Sequence, residues 1–343
     1  MNYTLRLLKI VGSPFVTEEY VKPIEEEEVS TLYFHAIKNR IPLLFLDTLE
    51  KKKKLYSLKP TYRKQYLRYS KIFGAMVRVS EFLNSLDVEH AIFKSIKPFP
   101  DASVDIDILI FDPEKYGKVI KSFSKAGWKL LGYGPQSTTF FDSEAQVGID
   151  LYREIAVSWV VYLDKEKLEK YVTQTMLPNQ KGVSTLKVEA DLLATIAHSV
   201  IKEQIFTLAE YYTFLLFLKT MRMKEIEKFK GLVETNNVVA LTKSFVTITV
   251  ALHNEVFGLV PEKLAVLSNE LGSDGLEEKR LKQNGFQTPH KYHFLTLFKS
   301  VMDSLRGERT RKSMALQCFE MMNPLFTKSV VSGLVNHMIR KTY

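Results

Sequence analysis

The segment Val104-Asp105-Ile106-Asp107-Ile108-Leu109-Ile110 places two acids two residues apart inside a β-branched, apolar run. In a strand, residues two apart share a face. Asp105 and Asp107 therefore point one way, and Ile106 and Ile108 the other. Neighbouring carboxylates on one face repel each other, so solvent or a cation must offset them. A solvated edge strand is one way to do so, a metal clamp another. A hard cation such as Mg²⁺ takes carboxylate oxygen and keeps water and phosphate oxygens as its other ligands. A second apolar run, Val147-Gly148-Ile149-Asp150-Leu151-Tyr152, carries one more acid. If its strand pairs beside the first, Asp150 joins the cluster. Three carboxylates on neighbouring strands then suit two-metal phosphoryl transfer, and the third can also orient or deprotonate an attacking hydroxyl.

The elements that must position these acids are legible in outline. Ala91-Ile92-Phe93, Val104 to Phe111, Trp128 to Leu131, Thr138 to Phe141 and Val147 to Tyr152 read as strands. Pro113 to Ala126 reads as a helix stopped by Gly127. The middle of the chain is thus a β-β-α-β-β-β unit over about residues 88–160. The stretch 1–87 reads as helical, with Val29 to Leu49 broken at Pro42 and Pro60 to Leu86 periodic again. After a loop at Pro178 to Gly182, residues 176–343 read as a helical region. It has amphipathic stretches at 189–203, 206–223, 225–234, 237–256 and 291–342, the last broken near Pro324. The domain expectation is 1–87 helical, 88–175 catalytic core and 176–343 helical, an α+β chain overall.

The middle region resembles the DNA polymerase β superfamily of nucleotidyltransferases. The family pattern is a strand ending in Gly-Gly or Gly-Ser, about ten residues, Asp-x-Asp, and a third Asp on a later strand. Here Ile92-Phe93-Lys94-Ser95 ends the first strand, and nine residues separate Ser95 from Asp105. Ser95 matches the family's Ser, and Lys94 stands where the first Gly is usual. The chain is also similar to a branch of uncharacterised nucleotidyltransferases with helical flanks and a Leu-Lys-Gly-like sequence before Asp-Ile-Asp. Glu189 to Leu193 followed by His198, and Arg309 to Leu325, carry that likeness into the C-terminal region. An Arg-Pro common before the first acid is replaced by Ala102-Ser103. The resemblance implies a polymerase-β-like core, with Asp105 and Asp107 binding both metals (Mg²⁺ or Mn²⁺). Asp150 would complete the second metal site, and Ser95 and Lys94 would hold the triphosphate.

The rest of the sequence bounds partners. The chain has 343 residues, 45% hydrophobic and 25% charged, with a net charge of +9. That balance favours polyanions. A single cysteine, Cys318, excludes an internal disulfide and fits a reducing cytoplasmic location. The most apolar run, Phe206 to Met221, contains Glu210 and Lys219 and is too short to span a bilayer, so no membrane partner is expected. Lys51 to Arg78 holds ten Lys or Arg and no Asp or Glu. Lys64, Arg68 and Lys71 fall near one helical face there, either a phosphate track for RNA or tRNA or a solvated face. Tyr62, Tyr66, Tyr69 and Phe73 share another face and are expected in the core. Arg153 is a candidate for the triphosphate or a surface charge at a strand end. His198 is an interhelix residue or a neighbour of the cleft. His290 and His293, with no Cys nearby, do not make a zinc site.

The expectation is therefore an NTP-using, ATP-binding type of nucleotidyltransferase. Its acceptor is open between an RNA or tRNA end, a small molecule and a protein. A non-catalytic nucleotide- or RNA-binding protein on a degenerate transferase fold is the competing class.

Overall fold

The computed structural model describes residues 2–17, 24–102, 105–178, 180–324 and 326–328. Four helices come first: α1 (Tyr3–Val11), α2 (Glu26–Lys38), α3 (Pro42–Lys51) and the long α4 (Lys59–Ser85). Pro42 sits in the first turn of α3, where a missing N–H costs nothing, and so divides α2 from α3 as expected. The acidic run Glu25 to Glu28 forms a capping box at the start of α2, next to the positive end of the helix dipole.

The six expected middle elements follow: β1 (His90–Ile92), β2 (Asp105–Ile110), α5 (Tyr116–Lys125), β3 (Lys129–Tyr133), β4 (Ser137–Asp142) and β5 (Val147–Tyr152). Strand formation then continues beyond the expected last strand. A hairpin, β6 (Ile155–Val157) and β7 (Val160–Leu163), precedes the short α6 (Glu166–Glu169). A second hairpin, β8 (Val172–Met176) and β9 (Gly182–Leu186), rejoins the sheet through the parallel pairing of β9 with β1. The sequence signal for these strands is weak because β8 and β9 are rich in Thr, Ser and Gln. The mixed sheet has seven strands in the order β3-β4-β5-β2-β1-β9-β8.

The helical remainder is α7 (Val188–Ala197), a π-helix over His198–Glu203, β10 (Ile205–Phe206), α8 (Leu208–Thr220), α9 (Met223–Thr235), α10 (Val239–Phe257), α11 (Glu262–Leu271), α12 (Gly275–Gln283), β11 (His290–Lys291), α13 (Phe294–Ser304) and α14 (Glu308–Glu320). The stretch is broken at residues 305–307 and again at 321–323, just before Pro324 as expected, and the part of the expected helical tail past 328 lies outside the described residues. None of the described helices is long and apolar enough to cross a membrane.

Alternation in the central strands divides the core in two. Ile106, Ile108 and Ile110 of β2 are fully buried against α4 and α5, together with Ile149 and Leu151 of β5. Each such side chain contributes roughly 1.5–3 kcal/mol. Leu109, Phe93 and Tyr152 face the other way, into a larger cluster that runs from Leu7 of α1 to Tyr292 and takes in α7, α8 and α10. The acids of β2 and β5 share that second face.

On α4 the aromatic stripe emerges from the core. Phe73 is buried, Tyr62 and Tyr69 are half-buried, and Tyr66 is 46% exposed. Their rings form a continuous ladder with centroid spacings of 5.8, 5.9 and 4.6 Å. The periodicity is real, but the N-terminal half of α4 extends past what the sheet covers, so Tyr66 is not a core residue.

Candidate active site

Strand β2 pairs in parallel with β5, and the register sets Asp107 directly opposite Asp150. Asp105, Asp107 and Asp150 each offer an oxygen within 4.8 Å of the others, the only such acid, His or Cys group among the described residues. Asp107 is buried, and Asp105 and Asp150 are half-buried. Strand β4 supports the cluster from the other side. Thr139 lies opposite Asp150, and its hydroxyl donates to Asp150 Oδ1 at 2.5 Å.

The crowding shows in the carboxyl groups themselves. Burial, then the charge of Asp107, pushes Asp105 up to about 7. Burial also raises Asp150, against the Thr139 hydrogen bond. Asp107 goes the other way. Burial would raise it, but the ammonium groups of Lys94, first, and Lys202 hold it below the usual carboxylate range. An all-oxygen donor set of three crowded carboxylates fits Mg²⁺ or Mn²⁺ and does not fit a thiol- or imidazole-seeking metal.

Lys94 is the cation inside the cluster. It sits at φ +61°, in the left-handed region that favours glycine. Asp191 of α7 holds the turn by accepting the Lys94 amide at 2.6 Å. The ammonium lies 3.2 Å from Asp107 Oδ1 and donates to His198 Nδ1 at 3.1 Å. It also stands 4.7 and 5.2 Å from the ring centres of Phe93 and Tyr152. Burial lowers the pKa of Lys94, and Asp107 opposes that shift.

The π-helix brings the remaining polar groups. Its wider turn carries both His198 and Lys202 to the sheet, as such bulges often do at functional sites. An ammonium has only donors, so Nδ1 of His198 is its bare nitrogen. Nε2 then carries the proton toward Glu203, 3.5 Å away. Burial and the Lys94 charge lower His198 to about 4, keeping it neutral. Glu203 also pairs with Arg40 at 2.6 Å. Its carboxyl is held far down by His198 and by Arg40. Lys202 donates to the Tyr152 hydroxyl at 2.9 Å, and burial, then the charge of Asp107, pushes the Tyr152 phenol well up.

The other expected residues fall in three places. Ser95 is beside the cluster, but its hydroxyl donates to Phe93 O at 3.1 Å and accepts the Asp107 amide at 2.8 Å, so it staples β1 to β2. Arg153 is exposed, in the bend just past the end of β5. Lys64 and Lys71 are exposed on α4 and Arg68 is half-buried there. His290 is buried against Glu277 at 2.8 Å, and His293 caps α13.

Sequence reasoning missed Tyr152, Asp191, Lys202 and Arg40 as site residues. The signal for Tyr152 was present, since it lies two residues after Asp150 on one strand. Lys202 and Arg40 carried none, because their positions depend on a π-helix and on long-range packing.

The arrangement implied by the resemblance is the one the chain adopts: an α+β sheet with an Asp-x-Asp strand beside the strand of a third acid. Among solved structures, the chain is similar to the lincomycin-bound lincosamide antibiotic adenylyltransferase LnuA at 14% identity. That match covers 36% of this chain and 83% of the other, with a TM-score of 0.26. It is also similar to the STING-associated CdnE c-di-GMP synthase from Capnocytophaga granulosa at 14% identity, over 75% of this chain and 99% of the other, with a TM-score of 0.30. No family model matches the chain, and no curated protein matches it significantly.

Proposed function

We propose that the protein is a divalent-metal-dependent nucleotidyltransferase that moves a nucleoside monophosphate from an NTP to an acceptor hydroxyl or phosphate. The observation that carries this reading is the convergence of Asp105, Asp107 and Asp150 on two paired parallel strands. These three carboxylates hold Mg²⁺ or Mn²⁺, which supplies charge stabilisation for the attacking and leaving oxygens. In the reaction the acceptor oxygen bonds to the α-phosphorus and the bond to the β-phosphate bridging oxygen breaks. Pyrophosphate leaves, and the acceptor proton passes to Asp150 or to water. Thr139 fixes the Asp150 carboxylate for that role. Lys94 and Lys202 offer ammonium groups to phosphate oxygens, and Ser95 shapes the turn that presents Lys94.

For the acceptor we favour RNA, such as a tRNA end. The support is the basic, acid-free stretch 51–78, which carries Lys64, Arg68 and Lys71 on α4 beside a partly exposed ring ladder. Basic side chains interleaved with stacking rings suit a single strand. A second reading, a nucleotide-binding protein without turnover, is favoured by one observation: Lys94 already neutralises Asp107.

The experiment is to incubate the protein with each α-labelled NTP, Mg²⁺ and, in turn, total RNA, protein and small-molecule fractions. Label should enter one fraction with release of pyrophosphate, and Asp107→Asn should lower the rate by about a thousandfold or more, roughly 4 kcal/mol of barrier. Equal labelling by the variant would remove the catalytic assignment. Nucleotide binding without labelling would favour the second reading.

A further inference from the structure

We propose that Lys94 is the resting counter-ion of the acid cluster, pairing with Asp107 until a metal–nucleotide complex arrives and then exchanging Asp107 for the triphosphate, so that metal and nucleotide bind together rather than separately. This rests on the metal reading above and adds a property that reading does not require.

The geometry argues for a cation built into the cluster. The Lys94 side chain is 6% exposed, and its ammonium touches Asp107 Oδ1 at 3.2 Å. Its second donor goes to His198 Nδ1 at 3.1 Å, and its remaining side lies against the Phe93 and Tyr152 rings. The ammonium therefore has acceptors on every side it presents, which is what lets it stay buried. The backbone accepts a left-handed residue to place it there, held by the Asp191 carboxylate. Strain of this kind persists only where the surroundings over-determine it.

Two cations cannot share Asp107 at close range without repulsion. When the carboxylates take up a divalent ion alone, Lys94 must give up its pair and gains nothing in return. With an NTP present, the same ammonium swings on its flexible stem to phosphate oxygens, a stronger charge-assisted partner. His198 stays behind as a neutral acceptor tied to Glu203, and Lys202 stays on the Tyr152 hydroxyl. The two ligands are thus coupled through Lys94, and the coupling is reciprocal.

The test is Mn²⁺ binding to the full chain, read from the loss of the free-ion paramagnetic resonance signal. It is run with and without a non-hydrolysable α,β-methylene ATP, after correction for the Mn²⁺–nucleotide complex in solution. The wild type should bind Mn²⁺ alone weakly and at least tenfold more tightly with the analogue. Lys94→Gly, which suits φ +61°, and Lys94→Met, which keeps the packing on Phe93 and Tyr152, should both bind Mn²⁺ alone about tenfold more tightly than wild type. In both, the effect of the analogue should shrink toward none. Circular dichroism identifies a variant that fails to fold, and the other then decides. If a folded variant binds Mn²⁺ alone no more tightly than wild type, with coupling intact, Lys94 is not the counter-ion. Asp107→Asn separates the two failures. If it leaves Mn²⁺ binding unchanged in every background, the metal site itself is wrong and this proposal goes with it.

Discussion

Thr139 reaches across from β4 to hold one oxygen of Asp150, and nothing in the local sequence marks it as more than a strand threonine. Its hydrogen bond to a charged acceptor is worth about 1.5–3 kcal/mol. Thr139→Val keeps the shape and removes the donor. It should lower kcat about tenfold or more while KM for the NTP moves little, because Asp150 would lose its orientation and the groups that grip the triphosphate would remain. Steady-state kinetics decides this; a change confined to KM would assign Thr139 to nucleotide binding instead. Asp105 tests the same cluster through stability. Like charges about 4 Å apart repel by roughly 4 kcal/mol at an effective dielectric of 20, before relaxation. With Lys94 and Lys202 offsetting part of this, about 1 kcal/mol remains as a stability cost of the kind active sites carry. In metal-free buffer at pH 8, Asp105→Asn should therefore melt roughly 1–3 °C above wild type. Mg²⁺ with an NTP analogue should raise the wild-type Tm and barely move the variant, since only a ligand of the native state stabilises it. Melting curves in which the variant is lower, and both proteins respond alike, would separate Asp105 from the metal site.

At the scale of elements, what was legible follows from period. The two-residue alternation of β2 and β5 put three acids on one face, and the structure supplies the one thing alternation cannot, the pairing of these two strands. The staple at Ser95 was visible only as a motif match, and its hydrogen bonds to Phe93 and Asp107 depend on the pairing that β1 makes with β2. The sequence of 198–203 reads as the end of an ordinary amphipathic helix, because the one wide π-turn leaves no trace in a short pattern. The pattern therefore leaves His198 between two placements and does not single out Lys202. Helix α4 shows the same limit from the other side. Its 27 residues carry a true aromatic period, yet burial stops where the sheet stops, leaving Tyr66 and the flanking Lys64 and Lys71 outside. If this half of α4 tracks an RNA backbone, replacing Lys64, Arg68 and Lys71 together by Ala should weaken RNA binding at 50 mM salt by tenfold or more. It should also flatten the log–log salt slope by about one for each phosphate that the variant no longer neutralises. Tyr66→Ala should weaken single-stranded RNA more than duplex, because stacking needs an unpaired base. Fluorescence anisotropy across a salt series reads both; unchanged affinity and slope in the triple variant would leave α4 a solvated face.

Taken as a whole, the molecule packs the acid face of its sheet against the same core that joins α1 to the C-terminal helices, and that core also encloses titratable groups with opposite pH behaviour. Asp101 and Asp191 are both raised to about 6, chiefly by burial. Each binds its proton more readily folded than unfolded, so each favours folding as pH falls from about 6 toward 4. The histidines oppose them. Burial lowers His35 and His198 to about 4, and lowers His90 and His253 as well. A histidine with a lowered folded pKa binds fewer protons folded than unfolded between about 4 and 6.5. Its contribution is complete above 6.5 and is lost as pH falls through that window. Because the two sets nearly face each other in pH, the wild-type melting curve alone cannot separate them, but a difference between two proteins can. His35 is the cleanest choice. Its Nε2 sits 3.0 Å from the Thr4 hydroxyl and 3.2 Å from Asn39 Nδ2, joining α1 to α2. Lys38, one turn along, adds to the effect of burial. His35→Gln keeps a hydrogen-bonding side chain there and removes the titration. It should melt below wild type at pH 7.5 by a fixed amount set by imperfect packing. That deficit should narrow steadily as pH falls from 6.5 to 4.5, because only the wild type is then penalised for leaving an imidazole uncharged. A deficit that stays constant over this range would mean that His35 takes its proton as easily folded as unfolded, and that the seam between α1 and α2 is open to water.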